Sequence, residues 1–143
     1  MATPEMIAYA AGFFDGEGTV DIRYRTTHGG RYDRFELRIA ISQLATNVLD
    51  WLVEHFGGSW HTRNKNTNVS VWVLTGPPAV DFLGLIRPYL IVKAAQADVA
   101  FEFGAIGVNC KNTYFSEGKK GFHRLPVELW NARRDVMLGF ELA

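Results

Sequence analysis

Cysteine is almost absent: Cys110 stands alone. An internal disulfide framework is excluded, and a reducing compartment fits. Long apolar runs are also missing. The longest stretches, Met6 to Phe14 and Val69 to Leu74, fall far short of the ~20 residues that span a bilayer, so no membrane partner is expected. No charged-then-apolar leader with a cleavage site is seen, and the expected setting is intracellular (cytoplasmic, organellar or phage-encoded) rather than secreted. A third absence is net charge. Fifteen Lys+Arg balance 15 Asp+Glu, whereas many nucleic-acid binders are visibly basic. What is present suffices for a core: 143 residues, 48% hydrophobic and 21% charged, suit a single domain over 1–143.

The zero balance hides a pattern. Residues 1–22 carry Glu5, Asp15, Glu17 and Asp21 with no Lys or Arg. Residues 23–38 then carry Arg23, Arg25, Arg31, Arg34 and Arg38 against Asp33 and Glu36. An acidic centre is followed by a basic stripe.

Thr3-Pro4 reads as an N-cap with proline in the first helical turn, opening a small, apolar helix that ends near Asp15 at Gly16 and Gly18. From Thr19 the period becomes two. Val20, Ile22 and Tyr24 alternate with Asp21, Arg23 and Arg25, and beyond His28-Gly29-Gly30 the residues Phe35, Leu37, Ile39 and Ile41 alternate with Arg34, Glu36, Arg38 and Ala40. The two runs predict an antiparallel hairpin with one apolar and one arginine-rich face. Apolar spacing predicts a helix over 47–56, closed by Gly57-Gly58. A second hairpin pairs 59–63 with 69–74. Helices follow over about 77–86 and 92–105, then a polar loop and a last helix over 126–140. The order αββαββα with extra C-terminal helices predicts an α+β fold, its antiparallel sheet covered by helices on one face. The core spans about 3–105, and the C-terminal loop and helix 106–143. The uncovered arginine face suits a DNA major groove, which admits a two-stranded ribbon; a merely solvated sheet face is the plainer alternative.

The first helix has two odd features. Ala8, Ala11 and Gly12 place small side chains where a second helix could approach closely, although glycine there costs about 0.5–1 kcal/mol relative to alanine. Asp15 and Glu17 lie at the helix C-terminus, where the macrodipole disfavours carboxylates. If the small-residue face packs against a symmetry-related copy, the acidic ends meet near a two-fold axis. Oxygen-rich ligands then select Mg²⁺ or Mn²⁺, and a metal pair there serves in-line attack on phosphodiesters. The competing reading is a plain helix-ending turn, with the small residues filling the chain's own core.

Ala10-Ala11-Gly12-Phe13-Phe14-Asp15-Gly16-Glu17-Gly18 resembles the signature of LAGLIDADG homing endonucleases. The resemblance extends from about Met6 to Phe103 through Gly57-Gly58-Ser59, Trp72-Val73-Leu74-Thr75-Gly76 and Arg87-Pro88-Tyr89-Leu90-Ile91-Val92-Lys93-Ala94-Ala95-Gln96-Ala97. It implies a site-specific double-strand DNA endonuclease, a phosphodiester hydrolase using Mg²⁺, with Mn²⁺ able to substitute. Glu17 matches the metal-binding carboxylate, and Gly16 a position whose carbonyl reaches metal. Asp15 matches an acidic residue supporting the helix ends at the dimer interface, where the small-residue face of Ala8, Ala11 and Gly12 is also expected. Lys93 matches a basic residue near the scissile phosphate, and Gln43 a polar residue orienting solvent. Ala10 departs from the usual leucine, and Glu17 carries its carboxylate further than aspartate would. A non-cleaving DNA-binding regulator and an intron RNA maturase are the alternatives on the same fold; RNA is a partner only for the maturase.

One motif copy implies a homodimer and a near-palindromic duplex target. Expected DNA-facing residues are Asp21, Arg23, Arg25, Arg34, Glu36 and Arg38, with His28 and Arg31 at the turn. Arginine can pair bidentately with guanine, and Glu36 could accept from cytosine. In the second hairpin the candidates are Thr62, Arg63, Asn64 and Lys65. Its register is open, because Trp60 and His61 cannot both face inward. Gly16-x-Gly18 lacks the third glycine of a dinucleotide fingerprint, the four histidines lack zinc spacing with Cys110, and no serine occupies a nucleophile elbow.

Overall fold

In a computed structural model of the chain, the described residues are 2–27, 32–106 and 127–142. Helix α1 (Pro4–Glu17) begins where Thr3 Oγ1 accepts the Met6 N–H at 3.2 Å. It leads directly into β1 (Gly18–Thr27) and β2 (Tyr32–Gln43), followed by α2 (Thr46–Phe56), β3 (Ser59–Asn64) and β4 (Val69–Thr75). Then come α3 (Pro77–Ile86), a 3₁₀ turn over Arg87–Tyr89, α4 (Ala94–Ala105) and α5 (Val127–Leu142). The predicted order holds, with boundaries shifted by a residue or two.

All strand pairs are antiparallel, in the order β1-β2-β4-β3. The period-two pattern assigns the faces. Val20, Ile22, Phe35, Leu37, Ile39 and Ile41 are buried, and β2 pairs Ile39 with Leu74 and Ile41 with Trp72 on that same face. Helices α1 to α5 pack there, and among the described residues no helix covers the opposite face. Phe82 centres the aromatic packing, with ring centroids 5.9 Å from Phe14 and 5.2 Å from both Phe56 and Trp72. These contacts fasten α1, α2 and β4 to α3. Arg133 ties α5 down: its guanidinium donates to the Ile106 carbonyl at 3.0 and 2.6 Å and lies 4.8 Å over the Phe103 ring. Among the described residues no helix is long and apolar enough to cross a membrane.

The turn into β3 depends on Gly58. Its φ is +81°, and a Cβ there would lie 2.6 Å from the Val73 carbonyl oxygen. Gly58→Ala adds a left-handed backbone penalty to a backbone clash, so it is expected to lower unfolding free energy by about 1–3 kcal/mol in urea titration.

Candidate functional site

The C-terminal end of α1 finds its partner far along the chain. Asp15 Oδ2 accepts the N–H groups of Ile91 and Val92 at 2.9 and 3.0 Å, and Oδ1 accepts that of Lys93 at 2.8 Å. Lys93 is the N-cap residue of α4 and makes no side-chain cap of its own. Asp15 thus satisfies the N–H of the N-cap residue and of the two residues before it, placing an anion near the α4 N-terminus. Lys93 Nζ in turn donates to the Asp15 backbone carbonyl at 2.6 Å, placing a cation where the α1 dipole is negative. Burial pushes the Asp15 carboxyl upward. The N–H bonds from Val92, Ile91 and Lys93 and the Lys93 charge outweigh it, holding the group below its ordinary value. Arg87 and Asp98 form a bidentate pair at 2.8 and 3.0 Å that closes the loop carrying Lys93.

This interlock leaves Glu17 as the one carboxylate of the motif still available. Glu17 is exposed and makes no hydrogen bond or ion pair with any described residue. Gly18, immediately after it, pairs with Ile41, so Gln43 stands two residues further along β2 at the α1 end of the sheet. Asp15→Ala removes the carboxylate that accepts three N–H groups. It is expected to cost about 1–2 kcal/mol of stability in urea titration, and to release Lys93 from the end of α1.

The uncovered sheet face carries the charges. Register puts Asp21 opposite Arg38 and Arg23 opposite Glu36, with Arg25 opposite Arg34 further out. Asp21 and Arg23 also meet along β1, Oδ2 to Nε at 3.6 Å. Ala40 and Val71, both nearly inaccessible, form the floor between the outer strands. Half-burial lowers the Arg38 pKa, as does the charge of Arg23; Asp21 raises it, Arg63 lowers it again, and Glu36 raises it.

No family model matches the chain, and no curated protein does. Solved structures do. The archaeal intron-encoded homing endonuclease I-Vdi141I, complexed with DNA, superposes with a TM-score of 0.61 at 21% identity, over 96% of this chain and 97% of that one. I-CvuI in complex with its target in 2 mM Ca superposes at 0.62 and 18% identity, over 96% of each chain. I-SmaMI bound to uncleavable DNA gives 0.71 at 18% identity, over 93% of this chain but 44% of its own. The fold is that of the LAGLIDADG homing endonucleases. The chain therefore spans a whole I-Vdi141I or I-CvuI chain and less than half of an I-SmaMI chain.

Within the LAGLIDADG fold, several expected residues sit together: Glu17, Gly16, Lys93 and Gln43 share the α1 end of the sheet. Asp21, Arg23, Glu36 and Arg38 share the uncovered face, and Arg25 and Arg34 continue its register. Two expectations, Ala11 and Thr62, are corrected. Ala11 has no exposed surface and fills the protomer's own core, so it offers nothing to a second copy; the exposed line of α1 runs instead through Glu5, Tyr9, Gly12 and Gly16, with Ala8 half-buried beside it. Within the protomer the Asp15 carboxylate accepts the N–H groups of Ile91, Val92 and Lys93. Thr62 pairs with Ser70, their hydroxyl oxygens 3.5 Å apart, which puts it on the helix side.

The second hairpin resolves as Trp60 toward the helices and His61 toward the uncovered face. Trp60 Nε1 donates to Asp50 Oδ1 of α2 at 2.8 Å, while His61 pairs with Val71. The register shifts between Thr62 and Asn64, freeing Arg63 from the ladder. Ser59 and His61 are thus face residues absent from the expected set. Strict alternation back from Val71 would have found them. Asn64 and Lys65 are exposed near the hairpin tip. His28, Arg31, Cys110 and the expected polar loop lie outside the described residues.

Proposed function

We propose that the protein is a homodimeric, divalent-metal-dependent DNA endonuclease that recognises a near-palindromic duplex and hydrolyses one phosphodiester on each strand. The observation that carries this reading is the interlock at the end of α1: Lys93 returns across the chain to hold its ammonium 2.6 Å from the Asp15 carbonyl, two residues before Glu17. A carboxylate with no partner among the described residues, two residues past the carbonyl that the lysine holds, suits charge neutralisation at a phosphate. DNA in the I-Vdi141I and I-CvuI complexes and the arginine-bearing uncovered face support the substrate class. Coverage of entire I-Vdi141I and I-CvuI chains, and of less than half of I-SmaMI, supports one catalytic half per chain.

The donor set fits a shared cation. Among the described residues no three His, Cys, Asp or Glu side chains gather in one protomer, and both Asp15 oxygens are occupied. Glu17 from each of two copies, with the Gly16 carbonyl, would hold Mg²⁺ (or Mn²⁺) among phosphate oxygens. Bound there, the ion supplies Lewis-acid stabilisation of the phosphoryl oxygens. Lys93 offers positive charge to the same oxygens. Gln43 orients the attacking water, and the sheet face holds the duplex in register.

Selection of bound duplexes from a randomised pool, followed by incubation with Mg²⁺, tests this function. Paired cuts near the centre of the selected site, leaving short 3′ overhangs, are expected. Binding without cutting would point to the regulator, and preference for structured RNA to the maturase. Lys93→Met is expected to slow single-turnover cleavage by about 10²-fold, measured on the selected duplex at saturating protein.

A further inference from the structure

Four side chains on the uncovered face form a square of alternating sign. Along β1 Asp21 precedes Arg23 on the same face; along β2 Glu36 precedes Arg38; and the register sets Asp21 against Arg38 and Arg23 against Glu36. Each arginine therefore has an acidic neighbour both along its own strand and across to the next. Asp21 Oδ2 lies 3.6 Å from Arg23 Nε. Arg38 is half-buried and lies within the electrostatic reach of Asp21, Glu36, Arg23 and Arg63.

Such a square is poorly made for gripping phosphate. Phosphate attraction is sequence-independent and scales with uncompensated positive charge, and here the local sum is zero. Base edges are different. A guanidinium fork reads guanine by paired hydrogen bonds whose geometry matters more than net charge, and a carboxylate beside it limits the orientations the fork adopts. A carboxylate also repels any backbone phosphate that settles onto the face out of register.

We propose that Asp21 and Glu36 are specificity-determining residues that hold Arg23 and Arg38 for base reading and suppress sequence-independent binding. This rests on the DNA-binding reading above. The competing account is simple cross-strand pairing, each pair contributing modestly to sheet stability. The two accounts differ in a direction that can be measured. Removing a carboxylate that merely supports the sheet lowers stability and leaves sequence preference alone, whereas removing a filter strengthens wrong binding more than right binding.

The test compares wild type, D21N, E36Q and the double variant in EDTA. Each binds a duplex selected by the wild type from a randomised pool, and an unrelated duplex of equal length, over a salt series. Glu102→Gln, an exposed position on α4, makes the same change in net charge away from the face and serves as control. The double variant is expected to bind the unrelated duplex about tenfold more tightly, and to lose at least tenfold in selected-to-unrelated preference. Its salt slope on the unrelated duplex steepens by about one per carboxylate removed, and Glu102→Gln changes neither quantity. Preference within twofold of wild type, or equal tightening on both duplexes, overturns the inference while leaving DNA recognition intact. Failure of the wild type to bind any duplex overturns both.

Discussion

Glu17→Gln is expected to reduce single-turnover cleavage by about 10³-fold or more while leaving duplex binding in EDTA at or above the wild-type level. The substitution keeps shape and removes charge at an exposed position without a hydrogen bond to any described residue, so the fold has no reason to respond. Loss of an anionic cation ligand removes the transition-state stabilisation that the ion provides. Loss of one negative charge near the duplex axis favours association slightly. Activity and affinity should therefore move in opposite directions. Cleavage by Glu17→Gln within tenfold of wild type, on the same duplex in Mg²⁺, would remove Glu17 from the chemistry.

Gly12→Arg should separate folding from assembly. Gly12 is exposed on α1, and a Cβ built there meets nothing within 4 Å. The protomer gains about 0.5–1 kcal/mol from replacing a helical glycine, so the far-ultraviolet spectrum and unfolding midpoint should hold or improve. An arginine where two helices are expected to touch drives them apart. Equilibrium sedimentation should then report one 16.1 kDa chain in place of the two-chain species expected of the wild type, with cleavage lost. A wild type that sediments as a single chain at high concentration would exclude a centre built from two Glu17 side chains.

Much of the molecule was legible because its elements are strongly patterned. Period-two alternation from Val20 to Tyr24 and from Phe35 to Ile41 located the first hairpin and its charged face. Gly57-Gly58 and Gly76-Pro77 marked the breaks around the second. The second register escaped because aromatic or ring-bearing residues, Trp60 and His61, occupy both faces, and the irregularity between Thr62 and Asn64 interrupts the alternation that would have chosen between them. The contacts of Asp15 were not legible for another reason. Its partners are 76 to 78 residues away, and no local pattern encodes a contact at that separation. Ala11 and Gly12 looked like one stripe because both are small, yet successive residues on a helix are turned by about 100°; the first points into the core and the second away from it.

The alternation of β1 and β2 has an evolutionary consequence. Ile22, Leu37 and Ile39 hold the protein together from one parity of residues, while positions 21, 23, 36 and 38 occupy the other. Substitutions in the second set leave the first set's packing untouched. A lineage carrying this scaffold can drift through many surface chemistries without passing through an unfolded ancestor.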